Sequence, residues 1–267
     1  MVSVLRRQGG WENRDNDVRT GWLRDRRAEG GLMSLLDAVQ TAFRLLFTGD
    51  PVLWNIVWVS LSTSIAGLLI ATPFAVAGGY AIAMHQFPGR RLVIWLAQAA
   101  LSLPTVLIGL LLYLLLSRHG ALGGLQWLFS QSGIIAGQVL IAMPVLLAFT
   151  LSAVQAADPR YAETAIAHGA SPLRVMATLL YEVRYGVMAA VISGFGRVIS
   201  EVGCAMMVGG NIAGYTRTIT TAIALETSKG EFAQGIALGI VLVAIALAMN
   251  GAMMLLQGDA HAARGRA

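Results

Sequence analysis

Charged residues are absent from four long stretches of the chain: 51–89, 92–117, 119–157 and 232–258. A helix needs about 20 apolar residues to cross the hydrocarbon layer of a bilayer, so each stretch can hold a spanning helix. The pattern predicts helices over 54–84, 92–117, 133–156 and 234–257. A fifth is predicted over 184–208, where only Arg197 and Glu201 interrupt the apolar run after Arg184. Pro73, Pro104 and Pro144 fall inside three of these segments, where they kink helices and free carbonyls. The pairs Gly78–Gly79, Gly194–Gly196 and Gly235–Gly239 offer small-residue faces for close helix approach.

Composition agrees with an all-α integral membrane protein. Of 267 residues 56% are hydrophobic and 12% charged, and mean hydropathy is +0.67. Ordinary soluble domains carry roughly a quarter charged residues, so a soluble enzyme and a disordered chain are both excluded. The net charge of +5 is scattered and forms no nucleic-acid patch. Cys204 is the single cysteine, which excludes an intrachain disulfide and a cysteine-built metal site. His85, His119, His168 and His261 are far apart, and no metal or cofactor is expected.

Charge placement then sets orientation. The longest polar connection, 157–184, carries Arg160, Arg174 and Arg184, and loops rich in Lys and Arg stay in the cytoplasm. Arg90, Arg91, Arg264 and Arg266 fall on the same side, with the C-terminus inside and 258–267 as a cytoplasmic tail. Arg44, Arg118, Arg217 and Lys229 fall outside. An odd number of spans puts the N-terminus outside, yet residues 1–32 hold seven arginines, against the rule. That segment has no apolar h-region, so it is not a secretory signal peptide. It reads either as a polar tail of mixed charge or as sequence upstream of a start at Met33. Residues 33–50 are expected to form an interfacial helix, with Leu35, Leu36, Val39, Phe43, Leu46 and Phe47 on one side. Residues 51–257 form the transmembrane domain.

The 157–184 loop has two helix starts, Asp158-Pro159 and Ser171-Pro172, with Gly169 as a stop between them. A helix, a tight turn and a second helix should project from the Arg-rich side. Inside it, Glu163-Thr164-Ala165, three residues and Gly169 resemble the "EAA…G" loop of binding-protein-dependent ABC importer permeases. That family continues with Ile-x-Leu-Pro. Leu179 fits its first position, while Tyr181 and Glu182 stand where Leu-Pro would be.

Arg197 and Glu201 lie one helical turn apart and can pair side by side. Counted from Arg184, Arg197 is about 20 Å along the helix, at mid-membrane depth or beyond it. Two readings stay open: a neutralised pair locking helices together, or an anion-attracting arginine with Glu201 beside a gate. Farther on, the strings Phe195–Gly203, Met206–Ile212 and Thr216–Ile223 closely resemble the tungstate and molybdate importer permeases, the tungstate type above all. The likeness extends over about 33–257, through Gly49-Asp50-Pro51, Phe87-Pro88-Gly89, Leu103-Pro104 and Leu115–Arg118. Asn211, Thr216, Thr218, Thr220 and Thr221 supply neutral donors and Arg217 a positive charge, suited to a tetrahedral oxyanion held weakly. The alternative is that the threonines cap a short external helix and touch a binding protein.

The resemblance implies a type I ABC importer permease (MetI-like) fold in the bacterial inner membrane. It implies two permease subunits, expected to be a homodimer of this chain, two ATPase subunits docked at Glu163, Ala165 and Gly169, and an external solute-binding protein. The chain itself is expected to be no enzyme, because no G-x-x-x-x-G-K-[ST] loop accompanies it and Lys229 follows a serine. Tungstate is the expected cargo, with molybdate, sulfate or another oxyanion as alternatives. An ion-driven carrier is a rival class, but it calls for inverted repeats that five unequal spans do not display.

Overall fold

The computed structural model describes residues 39, 40, 43, 44 and 49–264, apart from the side chains of Ala233 and of 252–264. The expectations for 1–32, for a start at Met33, for most of 33–50 and for 265–267 lie outside these residues. All regular structure among the described residues is helical: α1 Pro51–Met84, α2 Arg90–Ala100, α3 Thr105–Leu116, α4 Gln131–Gln155, α5 Arg160–Ala167, α6 Pro172–Glu182, α7 Arg184–Ile199, α8 Gly203–Gly209, α9 Ile219–Lys229 and α10 Phe232–Arg264. The first of these starts where the sequence demands it. The Asp50 carboxylate accepts the Val52 N–H at 2.8 Å, and Pro51 takes the first helical position.

Helices α1, α4 and the 234–251 part of α10 are each long and apolar enough to cross a membrane. Two corrections apply to the others. The helix expected over 92–117 is broken into α2 and α3, which meet at 100°. Pro104 has no N–H and disfavours helix at Leu103, and the chain turns there through i→i+3 bonds to Gln98, Ala99 and Ala100 carbonyls. The helix expected over 184–208 is also broken: α7 ends at Ile199, residues 200–202 are non-helical, and α8 follows. The last helix, conversely, runs past 257 to Arg264.

Close glycine contacts give the directions. A Cβ on Gly67 would lie 2.8 Å from Gln138 Cβ, and one on Gly79 would lie 2.9 Å from the Leu147 carbonyl oxygen. Helices α1 and α4 therefore run parallel, so the α2–α3 segment between them must cross back; it is a bent crossing and not a re-entrant loop. Helix α7 runs against α4, with Gly186 facing Ala153 and Gly194 facing Leu146. In α10, Ala237, Leu238 and Val241 share a core with Leu53, Ile56 and Val57, while Leu242, Ile245 and Met249 border the next core, around Leu68. Thus α10 runs with α1 and ends on the side of the α5–α6 loop. The central core is built of small side chains, Ala71, Ala75, Ala142 and Ala190, with Leu68, Leu146, Phe195 and Val198. Lipid tails are as apolar as these residues, so close van der Waals contact, rather than expulsion of water, holds the bundle together.

Candidate functional site

The α5–α6 loop forms as its sequence suggests, with a shift of one residue at its start. Helix α5 begins at Arg160, and the Asp158 carboxylate accepts the Arg160 N–H at 2.9 Å, so Pro159 precedes the helix instead of opening it. Glu163 sits in the first turn, exposed, where the helix dipole favours a carboxylate. Gly169, at φ +74°, ends α5 in a Schellman arrangement. Its N–H donates to Ile166 at 2.9 Å and the Ala170 N–H donates to Ala165 at 3.0 Å. Helix α6 then opens at Ser171-Pro172 and is anchored by Leu179, packed on Tyr80 and Val154 at the ends of α1 and α4.

The departure at Tyr181-Glu182 has a structural role. Helix α6 passes straight into α7 through Val183, with a 74° bend. Arg184 lies over both the Tyr181 and Tyr185 rings at 4.5 Å and donates to the Tyr181 carbonyl at 2.9 Å. Arg184 Nη2 also donates to the Tyr185 hydroxyl at 3.3 Å, so the guanidinium is held between the two tyrosines at the elbow. Ile166 and Leu173 are exposed beside an apolar hollow of about 600 Å³, also lined by Tyr80, Met84 and Met176. Such a patch suits a protein partner rather than water.

Arg197 and Glu201 are not brought together. Glu201 lies past the end of α7, buried, with its Oε1 accepting the Cys204 N–H at 3.0 Å. Arg197 is exposed, and no ion pair joins it to Glu201. The expected pair fails because the break at 200–202 removes the helical register that would have stacked the two side chains. An arginine at this depth costs about 2.5–3.5 kcal/mol in a lipid environment. Ser193, Gly196 and Ser200 share its exposed face, a set the sequence reading overlooked although their spacing with Arg197 is helical.

The external segment is a correction as well. Thr216, Thr218, Thr220 and Thr221 are buried, and their hydroxyls are committed to the backbone. Thr216 Oγ1 donates to Gly209 at 2.6 Å and accepts the Ile212 N–H at 2.9 Å. Thr218 and Thr221 form the capping box of α9. Thr220 donates to the Glu201 carbonyl at 2.6 Å. No hydroxyl of the four is aimed outward to receive an oxyanion, because the helix start and the tight turn at Gly210-Asn211 use them first. Asn211, at φ +52°, and Arg217 remain partly accessible. Arg217 Nη2 reaches the Asn211 carbonyl at 3.4 Å, while Arg217 Nε and Asn211 Oδ1 have no protein partner. The Thr216→Val variant is nearly isosteric but takes their side-chain partner from the buried Gly209 carbonyl and the half-buried Ile212 N–H. It is expected to cost about 2 kcal/mol, read as a lower thermal midpoint of the detergent-solubilised chain; an unchanged midpoint would reject the structural role.

Comparison with known proteins adds a second line. Residues 71–259 match the model of a family described as binding-protein-dependent transport system inner membrane component. The chain is 37% identical to the tungstate uptake system permease protein TupB of Campylobacter jejuni over 216 residues, 81% of this chain and 90% of that one. It is 33% identical to the protein of the same name from Peptoclostridium acidaminophilum, across 84% of this chain and 99% of that one. Among solved structures, a chain of a bacterial alginate ABC transporter in complex with alginate pentasaccharide-bound periplasmic protein superposes with a TM-score of 0.65 at 17% identity, covering 88% of this chain and 93% of that one. At that identity the likeness speaks for the fold.

Proposed function

The chain belongs to the family of binding-protein-dependent transport system inner membrane components, and on that premise we propose that it is the permease subunit of an ABC importer for tungstate. Two copies form the passage, a separate ATPase docks on the α5–α6 loop, and an external binding protein delivers the ion near Asn211 and Arg217. The loop, the Met84 end of α1 and the end of α10 then face the cytoplasm, which agrees with the arginines at 160, 174 and 184. The substrate rests on one observation, the likeness of more than four-fifths of the chain to two tungstate uptake permeases. The coupling role rests on the geometry of α5: Glu163 exposed in the first turn, Ala165 in the closing bond of the turn, and Gly169 at its tip.

Alternating access follows from this layout. Helix α6 continues into α7 through one residue, so a push on the loop turns α7 about its packing on α1 and α4, with the exposed stripe around Arg197 carried along. No proton transfer or covalent step is needed from this chain; its task is to open one side at a time.

The test is uptake into proteoliposomes holding this chain, its ATPase and its binding protein, with tungstate and molybdate competing. Both are tetrahedral dianions of similar size. Tungstate is expected to be taken up in preference, and only with ATP inside the hydrolysis compartment. Molybdate winning the competition would replace the substrate and keep the class, whereas uptake without ATP would remove the class.

A further inference from the structure

The outer face of α7 is unusual for a membrane helix. Ser193, Gly196, Arg197 and Ser200 are all exposed, and offsets of three, four and seven residues place them on one side. The other side, Ala190, Gly194, Phe195, Val198 and Ile199, is buried. A Cβ on Gly194 would stand 3.2 Å from Leu68 Cδ1 and 3.3 Å from Leu146 Cγ. Leu68 lies at the midpoint of α1 and Leu146 near that of α4, so this turn of α7 is level with the middle of the bundle. Arg197 is one turn farther on. Its guanidinium has no hydrogen bond or ion pair among the described residues, since Glu201 is engaged with Cys204. A Cβ built on Gly196 meets nothing within 4 Å, which leaves open space beside the arginine.

A permanent cation, mid-membrane and unpaired, on a stripe of serines and glycine cannot face lipid; it must face water, an anion or another protein surface. We propose that this stripe meets the same stripe of a second copy across a two-fold axis, and that the two Arg197 guanidiniums form one shared site for a tetrahedral dianion. This rests on the reading of the chain as an oxyanion permease and adds to it the place where the ion is held in transit. Charge fixes the stoichiometry. One arginine leaves a dianion half neutralised, whereas the two-fold partner supplies the second charge from the same residue, as an isologous contact requires. Each guanidinium presents a fork of donors to a pair of oxygens, with the exposed Ser193 hydroxyl one turn before it, while the Ser200 hydroxyl donates to the Gly196 carbonyl at 2.8 Å and serves the end of the helix. The site is incomplete in a single protomer. It is also necessarily transient, because rotation of α7 with the coupling loop moves the two arginines relative to each other and releases the ion.

The full transporter, with ATPase and binding protein, provides the test in two arms. In the first, Gly196→Cys is treated with a bifunctional thiosulfonate cross-linker, with the wild type as control because Cys204 is buried. A chain-to-chain product slowed by saturating tungstate is expected; no product overturns the two-fold arrangement. In the second, uptake is measured per assembled complex, counted by co-purified ATPase. Arg197→Gln is expected to lower oxyanion uptake at least tenfold, and Arg197→Lys to keep more of it than the glutamine variant. Uptake in Arg197→Gln within twofold of wild type overturns the anion site. Cross-linking of the Gly196→Cys chain together with absence of oxyanion uptake by the wild-type transporter overturns the functional reading while the two-fold arrangement stands.

Discussion

Replacing Gly169 with glutamate is expected to abolish ATP-dependent uptake while membrane insertion stays normal. Insertion is decided by the apolar stretches, all of them far from this turn. The turn itself depends on a residue that tolerates φ +74°, where an L side chain costs roughly 1–2 kcal/mol. That strain alone would weaken the last turn of α5 without removing it. The larger effect is steric and electrostatic. A Cβ at Gly169 would meet nothing within 4 Å, so any side chain projects from the tip of the loop, straight into whatever groove closes over it. A bulky carboxylate there must be desolvated when the ATPase docks, and it adds a second negative charge to the surface that already presents Glu163. Co-purification with the ATPase should be lost along with uptake. Gly169→Asn separates the two causes, because asparagine accepts the left-handed conformation with a smaller, neutral side chain. It should retain part of both activities. Full ATP-dependent uptake in the glutamate variant would end the coupling role of this loop.

The long helices are legible because a bilayer reads composition over some twenty residues, and α1, α4 and α10 each satisfy it within a few positions. Breaks in helices are not legible in the same way. Pro73 and Pro144 lie within continuous helices, whereas Pro104 turns the chain through 100°. Proline removes the same donor in all three; what differs is whether neighbouring helices hold the axis straight, and that is decided by tertiary contact. The loop motif transfers well because it is local: a cap, a glycine and two prolines act within their own turns. Arg197 and Glu201 show the opposite case. Their spacing is right for a pair, but pairing needs an unbroken helix, and the buried capping bond from Cys204 takes the carboxylate instead. The threonines were legible as polar groups and illegible in direction, because the Thr218 and Thr221 hydroxyls serve a helix start whose position no pattern of apolar residues marks. Glycine pairs fare no better. Gly79 and Gly194 do sit against neighbours at 3.3 Å or less, but nothing lies within 4 Å of a Cβ at Gly196 or Gly239.

Two further glycines, Gly109 in α3 and Gly137 in α4, close on Cys204 of α8 from both sides. A Cβ on Gly109 would be 2.7 Å from Cys204 Cα, and one on Gly137 would be 2.5 Å from Cys204 Sγ. The contact fastens the bent crossing to the bundle, since Cys204 joins Leu112, Leu116, Ile141 and Val208 in a single core. The two positions should respond differently to the same change. Overpacking costs about 1–3 kcal/mol where a side chain can give way, and more where backbone must move. Gly137→Ala meets a sulfur atom and otherwise only Leu112 Cδ2 at 3.6 Å, so the double variant Gly137→Ala, Cys204→Ala should recover most of the loss. Gly109→Ala meets backbone, with Cys204 Cβ at 3.4 Å as a further neighbour, and Cys204→Ala removes neither. It should remain destabilised in the double variant, and Gly109→Leu should yield no folded permease. Thermal unfolding of the wild type and of the five alanine chains, three single and two double, by fluorescence-detected size exclusion gives both cycles directly. Equal rescue of both glycines by Cys204→Ala would mean that α8 shifts as a unit, and that the close approach of α3 and α8 backbones does not define this part of the fold.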